Sequence, residues 1–102
     1  MSRAGEDRIA VGVLSIANEH PKGICSYRAA RSELPNRVEL TAGDLAPSQT
    51  RPGEPMWHQI VRNIKSHHDV DGNYIRRGLL EHVPRVGYRI TAAGRALFKG
   101  KS

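Results

Sequence analysis

A chain of 102 residues with 38 % hydrophobic and 5 % aromatic side chains is expected to form one domain, residues 1–102, around a small core. No run approaches the ~20 apolar residues of a membrane span, and the N-terminal MSRAGEDRIA has acids and no apolar stretch, unlike a signal peptide. The net charge of +6 is one-sided: residues 1–50 hold six Lys/Arg and six Asp/Glu, whereas residues 51–102 hold ten Lys/Arg and four Asp/Glu.

Such asymmetry points to a polyanionic partner, since summed surface charge governs non-specific association. A basic surface that only solubilises the chain is the plainer alternative. A single cysteine, Cys25, excludes an internal disulfide and fits a reducing cytoplasm. It reads as a small buried hydrophobe.

In chain order, Ile9, Ala10, Val13, Leu14, Ile16 and Ala17 recur at three-and-four spacing and predict a helix, weakened by Gly12 and ended by Pro21. Gly23-Ile24-Cys25 is long enough only for a short strand or bridge. Ser26 is a good N-cap for a second helix from Tyr27 to about Leu34, with Tyr27, Ala30 and Leu34 inward and Pro35 closing it. Val38 to Leu40 reads as extended or loop. Thr41-Ala42-Gly43-Asp44 has the pattern of a capping box opening a single turn, with Leu45 as its apolar contact. Ala46 to Pro55 is a Pro- and Gly-containing loop. No internal repeat or low-complexity segment is present.

Pro55 suits the first position of the next helix, expected to run to Asp69 and to break at Asp71-Gly72. Trp57, Val61, Ile64 and His68 fall on its apolar stripe, with Ile60 beside it. The opposite face presents Gln59, Arg62, Asn63 and Ser66, with His58 at its margin, and has no acid before Asp69. Leu79 to Val83 and Gly87 to Thr91 pair as a hairpin with Pro84-Arg85-Val86 at its tip, and Thr91 caps a last short helix with Ala92, Leu97 and Phe98. The order is that of an α+β winged helix-turn-helix: three helices, a short strand, a two-stranded wing and a short C-terminal helix. Lys99-Gly100-Lys101-Ser102 reads as the start of a linker.

An α-helix fits the major groove, where every base pair shows its own donor and acceptor pattern. Arg62 suits guanine O6/N7, and Asn63 or Gln59 suits adenine N6/N7, in bidentate fashion. Arg85 at the tip, with Arg89 behind it, suits a phosphate or the minor groove. Singly, each of these also reads as a solvated side chain, as do Arg76 and Arg77. Trp57 fits core better than base stacking, given its spacing from Val61 and Ile64. His67 and His68 point about 100° apart on a helix and make a poor chelating pair; with no His/Cys cluster, no metal or other cofactor is expected. No nucleophile elbow or phosphate loop is present, and Glu81 is followed by His82-Val83 instead of completing a nuclease set. The chain alone is not expected to be an enzyme.

Residues 51–98 resemble the winged-helix modules of restriction endonucleases, namely the N-terminal domain of Mrr-type enzymes and modules fused to HNH or PD-(D/E)XK nucleases. The matching features are Trp57, Val61 and Arg62, then Gly78-Leu79-Leu80, then Val86-Gly87-Tyr88-Arg89-Ile90-Thr91 with Gly94. Leu40-Thr41 and Asp44-Leu45-Ala46 are similar to the same family's run-in; residues 1–39 fit only the order of elements. The resemblance implies double-stranded DNA binding in a restriction or defence context and, for some members, recognition of methylated bases, N6-methyladenine in particular. Pro55, Met56 or Trp57 would then supply apolar contact to the methyl group. No nuclease domain lies within the chain, so cleavage does not carry over; it reads as a module of a longer nuclease or as a free-standing DNA-binding protein. Rival expectations are a small winged-helix transcription regulator, which would need a dimer and a palindromic site, and a winged helix whose basic face meets an acidic protein.

Overall fold

Ile9, Ala10, Val13, Leu14, Ile16 and Ala17 are each at most 3 % exposed and form the inner side of helix α1, Ala4–Glu19. The computed structural model describes residues 4–48 and 51–99, so Gly100, Lys101 and Ser102 of the expected linker lie outside the described residues. Within these bounds the fold is α+β, with five helices and a three-stranded antiparallel sheet. After α1 come β1 (Ile24–Ser26), α2 (Tyr27–Arg37), α3 (Ala42–Leu45), α4 (Met56–Ser66), β2 (Leu80–Val83), β3 (Gly87–Ile90) and α5 (Ala92–Lys99). Helix α1 packs against α2, α4, β1 and β3, which explains why its apolar stripe is so wide. No helix among the described residues is long and apolar enough to cross a membrane.

Gly12 lies on the buried side of α1, where an added Cβ would stand 2.4 Å from Leu34 Cδ2. Its cost in helix propensity is offset by the close approach of α2. Ser26 caps α2 through Oγ, which accepts from the Ala29 amide at 2.9 Å. Pro35 does not close α2 as expected: the helix continues to Arg37. A proline this late removes one rung, to the Arg31 carbonyl. Arg37 holds the final turn by donating to Ser15, Glu19 and Glu33 over 2.6–3.1 Å.

The capping box at Thr41 is present in both directions: Asp44 N–H donates to Thr41 Oγ1 at 3.1 Å and Thr41 N–H to Asp44 Oδ2 at 2.9 Å. Leu45, however, is 58 % exposed and is not the apolar contact of this turn. The turn is anchored instead by a polar contact: buried Asp44 accepts from Arg8 Nη2 at 2.7 Å.

Helix α4 starts with Pro55 as N-cap, not as its first residue, and ends at Ser66, short of the expected Asp69. Trp57, Val61 and Ile64 are buried, but His68 is exposed. The stripe has no apolar side chain after Ile64. Buried Asn73 donates through Nδ2 to the Ile64 carbonyl at 2.9 Å, taking the acceptor that the His68 amide would use in a longer helix. The Asn73 carboxamide oxygen accepts from the Ile75 and Arg76 amides, and this fixes the turns that carry buried Tyr74 to β2.

The sheet order is β1-β3-β2. Leu79 and Thr91, expected inside the hairpin strands, lie just outside them, although the Thr91 amide still donates to the Leu79 carbonyl. Gly87 pairs with both Ser26 and Val83. At φ 153°, a Cβ there would stand 2.2 Å from the Cys25 carbonyl oxygen, so β1 can reach β3 only across a glycine.

Candidate nucleic-acid interface

Successive helical residues are about 100° apart, so burial of Trp57, Val61 and Ile64 leaves Lys65, His58, Arg62, Ser66, Gln59 and Asn63 around the remaining arc of α4. The helix contains no acid of its own. Its arc divides into two sides with different neighbours.

Gln59 lies toward the loop before α4, where its Oε1 accepts from Ser48 Oγ at 2.7 Å. Asn63 is half-buried and Ser66 exposed; neither side chain makes a hydrogen bond among the described residues. Met56 and Pro55 are half-buried at the helix start, while Trp57 is 5 % exposed with its ring edge-on to His58 at 4.2 Å. Of the candidate methyl contacts, Trp57 is therefore core, and Pro55 and Met56 supply the surface.

His58 and Arg62 face α2 across a cleft of about 160 Å³, lined also by Tyr27, Arg31, Arg51 and Glu54. Although α4's polar face carries no acid before Asp69, the preceding loop brings one to it. Glu54 reaches back so that its Oε1 lies 2.7 Å from Arg62 Nη1, and its Oε2 lies 3.9 Å from His58 Nδ1. The Arg62 approach lacks hydrogen-bond alignment, and Glu54 Oε1 is buried with no other donor among the described residues. Burial works to raise the Glu54 pKa, but Arg62, His58 and Arg51 hold it below the usual carboxylate value. Burial lowers that of His58, with Arg31 and Arg62 adding to the effect and Glu54 opposing it.

The hairpin tip adjoins the start of α2. The Tyr27 amide donates to the Val86 carbonyl at 2.8 Å, and Tyr27 Oη lies 3.3 Å from His82 Nε2. Val86 N–H returns to the Val83 carbonyl at 3.0 Å, closing a turn with Pro84 second and Arg85 third at φ 67°. Pro84 presets φ for the second position, and the left-handed third position points the exposed Arg85 outward. Arg89 does not join this group. Alternation along β3 puts it on the face opposite Tyr88, paired with Glu81 at 3.3 Å.

Arg31, Arg51, Tyr27 and Lys65 belong to this surface and were missed by sequence reasoning. Tyr27 and Arg31 come from another helix, which no local pattern reveals. Glu54 did leave a signal, because Glu54, His58 and Arg62 stand at i, i+4 and i+8 and would share one face if the helical path extended back by one turn. Among the described residues no group of three or more His, Cys, Asp or Glu is placed to hold a metal ion. No family model, curated protein or solved structure matches the chain.

Proposed function

We propose that this chain is a double-stranded DNA-binding module of the winged-helix class, with α4 addressing the major groove and the β2–β3 hairpin as the wing. The observation that carries the reading is the outward arc of α4, free of acids of its own and set beside a hairpin whose tip presents Arg85. The order helix, strand, helices, hairpin, with β1 completing the sheet against β3, is what such a module requires. The surplus of ten Lys/Arg over four acids in residues 51–102 supplies the attraction to phosphate. In this reading Asn63 and Gln59 face base edges, while Arg85 and Arg62, the latter held in the cleft by Glu54, face the backbone.

The favoured context is the recognition part of a restriction or defence nuclease, and the favoured ligand is a duplex carrying N6-methyladenine, whose methyl group would meet Pro55 and Met56. The test is an anisotropy titration with matched duplexes, unmodified or carrying N6-methyladenine or 5-methylcytosine, at two salt concentrations. Tighter binding to the N6-methyladenine duplex that persists at the higher salt supports modification reading. Equal binding that fades with salt leaves general DNA binding. No binding at either salt removes the proposal and favours an acidic protein partner.

A further inference from the structure

Arg31 and Arg51 are exposed at the rim of the α2–α4 cleft, and their side chains form no ion pair among the described residues. Together with Arg62 they bring guanidinium groups from α2, the preceding loop and α4 to one place. Among the described residues the only carboxylate lining the cleft is Glu54. With His58 disfavoured as a cation by burial, the cleft holds three guanidiniums against one carboxylate and is net positive. Glu54 makes a direct contact with Arg62, close but unaligned, and feels Arg51 only through its charge.

We propose that this cleft is a phosphate seat and that Glu54 is its internal competitor, holding Arg62 until a phosphate oxyanion takes its place. The proposal rests on the DNA-binding reading for its natural ligand, a phosphate of the duplex backbone. Guanidinium forks match phosphate oxygens bidentately, and a phosphate between Arg31, Arg51 and Arg62 makes more charge-assisted bonds than Glu54 makes to Arg62 alone. His58 lines the same space, its Nδ1 3.9 Å from Glu54 Oε2, and even when neutral its ring carries one N–H. Tyr27 forms the wall between this seat and the hairpin tip, so a backbone lying here continues toward Arg85. Glu54 then sets how tightly the module holds DNA: its carboxylate lowers affinity for every sequence alike, because it competes for a phosphate contact and not for a base.

The experiment uses the whole chain and two probes, a duplex followed by anisotropy and inorganic pyrophosphate followed by NMR of the His58 ring and the amides around Arg31, Arg51 and Arg62. Glu54→Gln should tighten duplex binding at least about fivefold at low salt and steepen the salt slope by about one. Arg31→Gln and Arg51→Gln, both at exposed positions, should weaken duplex binding and abolish the pyrophosphate shifts. Duplex binding unchanged in folded Glu54→Gln and in both arginine variants overturns the seat while leaving DNA binding in place. Pyrophosphate shifts at the cleft without duplex binding by any variant keep the seat and remove the DNA reading. If Glu54→Gln fails to fold, the two arginine variants decide alone: undiminished binding in both overturns the proposal.

Discussion

Tyr88 Oη donates to the Val61 carbonyl at 2.5 Å and accepts from the Lys65 amide at 3.2 Å. The hairpin's buried tyrosine thus sits astride one rung of α4, between the two backbone groups that a regular helix would pair. This places α4 at a fixed height against the sheet, with Tyr27 packed edge-on to the Tyr88 ring at 5.7 Å. Burial raises the Tyr88 pKa, which keeps the hydroxyl a donor.

Tyr88→Phe should lower stability by about 1 kcal/mol, because the ring stays packed and Val61 and Lys65 can still pair with each other. Tyr88→Ala should cost about 3–5 kcal/mol through the cavity it leaves. Urea denaturation measures both, and a phenylalanine variant as damaged as the alanine one would show that the hydroxyl, not the ring, carries the interaction.

Gly87→Ala should destabilise by about 1–3 kcal/mol from overpacking on top of the cost of its positive φ, since its Cβ would collide with the Cys25 carbonyl. Gly78→Ala is the comparison: φ is 77° but nothing lies within 4 Å, so only the left-handed backbone cost of about 1–2 kcal/mol applies. Equal thermal shifts for the two variants would refute the close approach of β1 to β3.

Asp44 should make stability fall in acid. Burial works to raise its pKa, but the Thr41 amide and Arg8 hold it below the usual aspartate value in the folded chain. Its stabilisation is therefore complete above the ordinary carboxylate pKa of about 3.9 and is lost as pH falls through the lower folded value. Asp44→Asn should cost about 1–3 kcal/mol at neutral pH and flatten the stability profile on the acid side. An unchanged profile would assign acid sensitivity to other groups.

Asn63→Ala, at an α4 side chain with no hydrogen-bond partner among the described residues, should reduce discrimination between duplex sequences by about 1–3 kcal/mol. Arg85→Ala should weaken all sequences alike and lower the salt slope by about one. Competition titrations at fixed salt separate the two effects. Uniform loss from both variants would take base reading away from α4.

Asn73→Ala should cost about 1–3 kcal/mol, because Ile64's carbonyl and the Ile75 and Arg76 amides lose their partner. Native-state hydrogen exchange localises the damage: faster exchange in 67–78 with α1 unchanged is expected, and uniform acceleration would contradict a local staple.

The sequence by itself determined the elements and their inward sides. The stripes in α1 and α4, the caps at Ser26 and Thr41, the hairpin turn at Pro84-Arg85 and the cationic second half all follow from spacing, turn chemistry or counting. These are local properties, set by the period of the backbone within one or two turns. The tertiary structure decided where the elements stop and which polar groups meet. Asn73 ends α4 from nine residues away, Arg37 carries α2 past Pro35, and Tyr88 spans 27 residues to Val61. The cleft is of the same kind: Arg31 and Arg62 become neighbours only when α2 packs beside α4, and Glu54 meets Arg62 only because the loop folds back. Contacts between distant segments are chosen by the packing of the whole core, and no local periodicity carries that information.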